Sequence, residues 1–119
     1  MPSKVIHNIL VTTAFLVCFS VQAQSYTEYA ETLAFSEWPE YENGANISAL
    51  PQVSRTIRLF DEHDKVSIEI RYPGGDQGRK LAESLFKWLI TLGIPAQYME
   101  LVPGSGSADS MVISLIDRR

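Results

Sequence analysis

Alternating apolar and polar residues predict two strands in the C-terminal half of the chain. Residues 65–72 place apolar side chains at every second position, namely Val66, Ile68, Ile70 and Tyr72. Residues 110–117 repeat this pattern with Met111, Ile113 and Leu115. A period of two puts these side chains on one face of a strand, where a core can bury them. A further strand is predicted at residues 97–102, and a connection rich in glycine and serine follows it.

Apolar residues at spacings of three and four predict two helices. The first covers residues 48–61, with Ser48 as its N-cap and Pro51 in its first turn. Its apolar stripe consists of Leu50, Val53, Ile57 and Phe60. The second covers residues 78–92 and buries Leu81, Leu85, Trp88, Leu89 and Leu92. Gly93 suits the left-handed position that follows a helix, and a proline two residues later prevents its continuation.

Residues 1–23 have the pattern of a cleaved secretory signal peptide. Lys4 gives a positive start, an apolar run extends from Ile9 to Val21, and short side chains stand at the positions before cleavage. The run is too short for a membrane-spanning helix. We therefore expect cleavage after Ala23 and a mature protein in the periplasm or secreted, with no membrane span.

Residues 24–47 differ from the rest of the mature chain in charge and aromatic content. Residues 24–50 contain five acids and no base, whereas residues 51–119 contain nine of each, so the mature net charge of −5 lies in the N-terminal part. Half of the ten mature aromatic residues also lie there, which indicates that part of the segment folds. Two alternatives stay open here: a helical stripe of Tyr29 and Leu33, with Ala30 and Ala34 beside them, or a short strand at residues 32–35. Trp38 and Tyr41 are candidate partner-binding residues, because aromatic side chains are enriched at interfaces.

Together these elements predict a two-layer α/β sandwich of the α+β type. It contains a mixed sheet of three or four strands with two helices on one face. We divide the chain into the signal peptide at 1–23, the acidic aromatic segment at 24–47 and the α/β domain at 48–119. A mature length of this order suits one modest core.

The mature chain lacks most groups on which catalysis or metal binding depends. Cys18 and His7 lie in the signal peptide, which leaves His63, in a polar turn, as the one histidine. No thiol is available for a disulfide, a metal or a nucleophile, and no nucleophile–base pair or metal-ligand set can be named. We expect a protein that is not an enzyme and uses no cofactor. The chain also lacks the basic patch that nucleic-acid binding requires.

A glycine-rich turn before the second helix is the candidate ligand site. Its residues are Gly74, Gly75, Asp76, Gly78, Arg79 and Lys80. Glycines allow backbone N–H groups to converge at a helix start, which carries partial positive charge. The two basic residues suit a carboxylate and the acidic residue suits an amine, so the turn favours a zwitterionic group. The alternative is purely structural, with Asp76 as the helix N-cap and the basic side chains in solvent.

The order of elements over residues 48–117 resembles the C-terminal peptidoglycan-associated domain of the outer-membrane protein A-like family. Four stretches carry the resemblance: Leu50-Pro51, Val66-Ser67-Ile68-Glu69-Ile70, Asp76-Gln77-Gly78, and Trp88-Leu89-Ile90-Thr91-Leu92-Gly93-Ile94-Pro95. The resemblance implies the sandwich described above. It also implies a binding site in which the Asp of the turn and an Arg on the long helix bind the diaminopimelate of peptidoglycan.

The chain departs from that family in the long helix, which is about two turns shorter here. Counting back from Gly93, the Arg-Ala position of the family falls on Leu81-Ala82. Arg79, three residues after Asp76, is the nearest substitute. The chain is also similar to small secreted bacterial proteins with a Tyr-Pro-Gly-Gly-Asp turn and a Trp-Leu helix, a resemblance that implies no activity.

The sequence thus leads to three functional hypotheses. The first is an exported, non-enzymatic envelope protein that binds a cell-wall fragment, peptidoglycan above all, or a protein partner. The second is an accessory subunit of a bacterial envelope assembly, which does not bind the wall and docks through residues 24–50. The third is a small hydrolase, which would need a cleft containing His63 or paired carboxylates.

Overall fold

The structure, a computed structural model, describes residues 27–118. The predicted signal peptide, its cleavage after Ala23 and residues 24–26 lie outside the described residues. Four strands and three helices follow one another along the described chain: β1 (Thr27–Ala34), α1 (Gly44–Ser48), α2 (Pro51–Glu62), β2 (Val66–Tyr72), α3 (Asp76–Thr91), β3 (Met99–Pro103) and β4 (Ser110–Asp117). Short 3-10 turns at Phe35–Glu37 and Ala96–Tyr98 follow β1 and precede β3.

The four strands form one mixed sheet in the order β1-β4-β2-β3. β4 pairs antiparallel with both β1 and β2, while β2 and β3 are parallel. This arrangement confirms the predicted α+β sandwich. The sheet has four strands and not three, because residues 32–34, for which both a strand and a helix were considered, form the end of β1. The short helix α1 was not predicted, and the proposed boundary between residues 47 and 48 falls inside it.

The core lies between the sheet and the helices, on the face that the alternating pattern predicted. Val66, Ile68 and Ile70 of β2 are buried, and Ile68 and Ile70 stand opposite Leu115 and Ile113 of β4. The helices add their own buried side chains to this layer, namely Ile47, Val53, Ala82, Leu85 and Leu89. The opposite face of β2 carries the polar residues 67, 69 and 71, so the sheet is covered by helices on one side.

The end of α3 follows the sequence prediction closely. Gly93 has a φ of 115°, a left-handed conformation that a residue with a Cβ rarely adopts. Its N–H donates to the carbonyl of Ile90 at 3.0 Å, and the N–H of Ile94 donates to that of Leu89 at 2.9 Å. These two bonds satisfy carbonyls that a helix end otherwise leaves free, as in a Schellman motif. Ile94 is buried, so the chain turns back into the core directly after the helix.

The start of α2 differs from the prediction. Its N-cap is Leu50, and Pro51 is the first helical residue, which suits proline because that N–H would have no helical partner. Ser48 is therefore not the N-cap. Its hydroxyl donates to the carbonyl of Ala45 within α1, at 3.3 Å. The sequence alone does not reveal the break between α1 and α2. Only residues 49 and 50 separate the two helices, so the apolar spacing looks continuous across them.

A polar cluster holds β1 against α2. Arg55 donates two hydrogen bonds to the Glu31 carboxylate, one from Nε to Oε2 at 3.0 Å and one from Nη2 to Oε1. This ion pair raises the pKa of Arg55, chiefly through the side-chain hydrogen bond.

Gln52 is 7% exposed, and its Nε2 donates to the Thr32 carbonyl at 3.2 Å and to Glu37 Oε1 at 2.7 Å. The N–H of Ala34 donates to Glu37 Oε2 at 3.1 Å. β1 is thereby fixed by side chains as well as by β4.

The Glu37 carboxylate makes this cluster sensitive to acid. The hydrogen bond from Gln52, and then that from the Ala34 N–H, lower the pKa of Glu37 below the ordinary value of 4.5. A carboxylate with a lowered folded-state pKa stabilises the fold above its unfolded pKa, and this contribution is lost as the pH falls through the folded value.

We therefore expect Glu37→Gln to reduce the difference in Tm between pH 7 and pH 3, measured by circular dichroism. The control is Glu83→Gln, since Glu83 is exposed on α3 and forms no ion pair or hydrogen bond within residues 27–118. Equal reductions in both variants would contradict the assignment of the acid sensitivity to Glu37.

Candidate functional site

The predicted turn lies where the two parallel strands end and α3 begins. Tyr72 and Pro103 are register partners at the C-terminal ends of β2 and β3. The N–H of Gly104 donates to the Tyr72 carbonyl at 2.7 Å, which holds the two strand ends together. A shallow groove of about 310 Å³ opens here, lined by Tyr72, Gly74, Gly75, Asp76, Arg79 and Pro103. In α/β sheets, the C-terminal ends of parallel strands beside a helix start are a common place for ligands.

Asp76 is not the helix N-cap, so the alternative that gave it this role is wrong, whereas Arg79 and Lys80 are exposed to solvent, as that alternative expected. Gly75 occupies the N-cap position with a φ of 99°, and no side chain caps the helix. Asp76 is the first residue of α3, and its side chain is 90% exposed. Its Oδ1 lies 3.8 Å from Nη2 of Arg79, one turn further along the helix. A carboxylate and a guanidinium therefore stand side by side at the rim of the groove, both accessible to solvent.

The six predicted residues divide into two groups. Gly74, Gly75, Asp76 and Arg79 line the groove. Gly78 and Lys80 do not line it. Gly78 is buried against Pro73, since a Cβ on Gly78 would lie 2.4 Å from the Pro73 carbonyl oxygen. Lys80 is exposed on α3.

Sequence reasoning missed the two strand-end residues, Tyr72 and Pro103. Tyr72 was assigned to the core face of β2, and Pro103 was assigned to a flexible connection. Their role depends on the parallel pairing of β2 with β3, a contact between segments some thirty residues apart. Pro103 itself indicated the end of an edge strand, because proline within sheets is confined to strand ends and to strands at the margin of a sheet.

The groove offers complementary groups to a zwitterion. An amine can bind the Asp76 carboxylate, while a carboxylate can bind the Arg79 guanidinium in a charge-assisted hydrogen bond. The first N–H groups of α3 have no helical acceptor, and they add partial positive charge at the same end. Both side chains are exposed, so water screens the ion pair between them and leaves each available to a ligand.

Glu42 links Trp38, one of the two aromatic residues predicted to bind a partner, to Trp88 of α3. The indole N–H of Trp38 donates to Glu42 Oε2 at 3.1 Å, and that of Trp88 donates to Glu42 Oε1 at 2.9 Å. The carboxylate thus joins the chain before α1 to the C-terminal half of α3. Tyr41 projects beside it with 73% of its surface exposed. Trp38 is half-buried and Tyr41 is exposed. The contact between Glu42 and Trp88 was missed, because it spans 46 residues.

His63 has a structural position at the end of α2. Its ring Nδ1 lies 2.8 Å from the carbonyl of Leu59, where it donates a hydrogen bond that satisfies a helix-end acceptor, and the residue is exposed. His63 does not line the groove beside Asp76. Within residues 27–118, no three His, Asp or Glu side chains lie close enough together to hold a metal ion. No helix in that part of the chain is long and apolar enough to cross a membrane.

No protein-family model and no curated protein sequence matches the chain. Solved structures do resemble it. One structure of the periplasmic domain of Helicobacter pylori MotB is 16% identical, with a TM-score of 0.57 over 81% of this chain and 85% of that chain. A second structure of that domain is 11% identical, with a TM-score of 0.58 over 84% of this chain and 86% of the other.

The OmpA-like domain of FopA1 from Francisella tularensis is also similar. It is 11% identical, with a TM-score of 0.51 over 85% of this chain and 79% of that domain. Identities this low establish a shared fold and no more. At that level they confirm the predicted resemblance to the C-terminal domain of outer-membrane protein A-like proteins.

Proposed function

We propose that this chain is an exported, non-enzymatic envelope protein that binds a peptidoglycan fragment in the groove beside Asp76 and Arg79. One observation carries the proposal: an exposed carboxylate and an exposed guanidinium stand 3.8 Å apart at the turn after β2. In the family that the sequence resembles, the turn at this position supplies the Asp that holds diaminopimelate. Diaminopimelate presents an amine and a carboxylate on one carbon, which matches this pair of charges.

Arg79 takes over a role that the resembled family gives to a residue further along the helix. The corresponding position here is Leu81, whose side chain is half-buried against the core and carries no charge. Arg79 precedes it by two residues and points to the groove instead. The ligand would then be held entirely by the first turn of α3 and the strand ends, which suits a shorter helix.

Two independent features support an envelope location. The sequence of residues 1–23 has the pattern of a signal peptide. Similar folds occur in the periplasmic domain of MotB. The absence of a basic patch within a mature chain of net charge −5 is consistent with a ligand other than nucleic acid.

Co-sedimentation with purified peptidoglycan tests the proposal. We expect residues 24–119 to sediment with the wall, and the Asp76→Ala, Arg79→Ala double variant to bind roughly tenfold or more weakly, since each lost bond involves a charged group. The double variant should keep its Tm, because both side chains are exposed and their ion pair contributes little to stability.

The matched control is the Arg58→Ala, Glu62→Ala double variant. It removes one cation and one anion, 3.9 Å apart and both exposed, from α2. Its sedimentation should equal that of the unmodified chain. Equal losses in the two double variants would indicate nonspecific electrostatic adhesion and contradict a site at Asp76 and Arg79.

A second candidate function is that of an accessory subunit which docks through the aromatic surface around Tyr41. The observation that favours it is the 73% exposure of Tyr41, the most exposed large hydrophobic residue of the described chain. Aromatic anchors of this kind dominate binding energy at many interfaces. Under this hypothesis the unmodified chain would not sediment with peptidoglycan, and Tyr41→Ala rather than the Asp76 variant would weaken association with the envelope.

A further inference from the structure

A second groove lies along the C-terminal half of α3. It is open to solvent, has a volume of about 290 Å³ and is lined by Glu42, Ser84, Lys87, Trp88 and Thr91. Trp88 follows Asp76 by twelve residues, which at about 1.5 Å per residue places it roughly 18 Å along the helix. The two grooves share no lining residue, so a ligand can occupy each independently.

The Trp88 ring in this groove is held in a fixed orientation. Its N–H donates to Glu42 Oε1, and Glu42 is itself held by the N–H of Trp38 through Oε2. A carboxylate has about four lone-pair positions, and the two indoles use one on each oxygen. Glu42 can therefore orient the indole and still accept hydrogen bonds from a ligand hydroxyl.

The remaining polar groups of the groove are available to a ligand. Neither the Ser84 hydroxyl nor the Lys87 ammonium hydrogen-bonds or pairs with another side chain within the described part of the chain. Thr91 donates its hydroxyl proton to the Lys87 carbonyl at 3.0 Å, which leaves its oxygen free to accept. The groove thus combines one half-buried aromatic surface with two donors and two acceptors.

We infer that this groove binds a saccharide unit. A pyranose ring has an apolar C–H face that can pack on an indole, and its rim of hydroxyls both donates and accepts hydrogen bonds. Glu42 and Thr91 would accept from these hydroxyls, Ser84 would donate to a ring substituent, and Lys87 would bind an acetamido carbonyl or a carboxylate.

The choice of N-acetylated sugars rests on the proposed function, since these form the glycan strands of peptidoglycan. The inference then extends that function: the chain would contact the glycan through Trp88 and the stem peptide through Asp76 and Arg79. The argument that the groove at Trp88 binds a saccharide does not depend on ligand binding at Asp76 and Arg79, and the two grooves can be tested with separate probes.

The test is a titration of residues 24–119, which contain the whole described fold, with tetra-N-acetylchitotetraose and with glycan strands freed of stem peptides. Tryptophan emission and the indole N–H signal of Trp88 in NMR spectra report on the groove directly. We expect saturable changes in both, and a three- to tenfold loss of affinity in Ser84→Ala and in Lys87→Ala, since each removes about one hydrogen bond. Arg58→Ala is the charge-matched control, because Arg58 is exposed on α2 outside the groove.

Two results would overturn the inference. One is an unchanged Trp88 indole signal up to the solubility limit of both saccharides. The other is an equal loss of affinity in Lys87→Ala and Arg58→Ala. A parallel titration with a glycan-free peptide that contains diaminopimelate separates the two sites. Binding of the peptide without the saccharide would support the proposed function and contradict this inference. Binding of the saccharide without the peptide would support this inference and contradict the proposed site at Asp76 and Arg79.

Discussion

Replacing Ile47 by alanine is expected to lower the free energy of unfolding by about 2–5 kcal/mol. Ile47 lies on the short helix α1 and is fully buried in the core between the sheet and the helices. The truncation removes three buried carbon atoms and leaves a cavity that a five-residue helix, held by neighbours on both sides, cannot close. Urea unfolding followed by circular dichroism measures the change. The large effect is expected because this N-terminal part of the chain completes the core of the α/β domain.

Ile90→Ala provides the matched control. It makes the same chemical change on α3, at a side chain that is 41% exposed. Its effect should be well under that of Ile47→Ala, since little apolar surface is removed from the core. If the two variants unfolded at the same urea concentration, α1 would not be packed as described, and residues before Pro51 would form a separate unit.

Gly78→Ala is expected to destabilise the fold by about 1–3 kcal/mol and to distort the groove beside Asp76. The added Cβ would lie 2.4 Å from the Pro73 carbonyl oxygen and 2.9 Å from its Cγ. The clash is with backbone and a rigid ring, so either the turn or the first turn of α3 must move. Thermal unfolding measures the first effect, and co-sedimentation with peptidoglycan measures the second.

Gly74→Ala separates this clash from a general loss of glycine. Gly74 belongs to the same turn, but a Cβ there would meet nothing within 4 Å, and its backbone does not have a positive φ. We expect its stability to match that of the unmodified chain. A Gly78→Ala variant as stable as Gly74→Ala would show that the turn is loose enough to adapt, and that it does not hold Asp76 and Arg79 rigidly.

Local patterns predicted the parts of the fold that depend on neighbouring residues. β4 has the predicted bounds, because a period of two determines them. Gly93 has the predicted left-handed conformation, because the residues next to it in sequence determine where α3 ends. β1 was left open because its core-facing positions include Glu31, which hides the alternation. That carboxylate is tolerated there because Arg55, 24 residues later, pairs with it.

The same distinction applies to the candidate sites. The glycine turn and its two charged residues are contiguous, so the sequence could identify them. Tyr72 and Pro103 join the site only through strand pairing, and Trp88 meets Glu42 only because the segment before α1 lies beside α3. The helical spacing of Trp88 predicted a core residue, and the pattern gave no sign that its N–H would bind a distant carboxylate.

The hydrogen bonds around Gln52 and Glu37 also limit what can join the sheet. The N–H of Phe35 donates to the carbonyl of Asp109, the residue just before β4, so Ala34 and Thr32 direct their backbone groups away from the sheet. Those outward groups already bond to Glu37 and Gln52. An incoming strand from another molecule would have to displace both side chains. The Glu37 carboxylate would then lose its hydrogen bonds. The C-terminal end of β1 is therefore protected against the addition of a strand from another molecule, a protection that proteins with exposed strand margins commonly need.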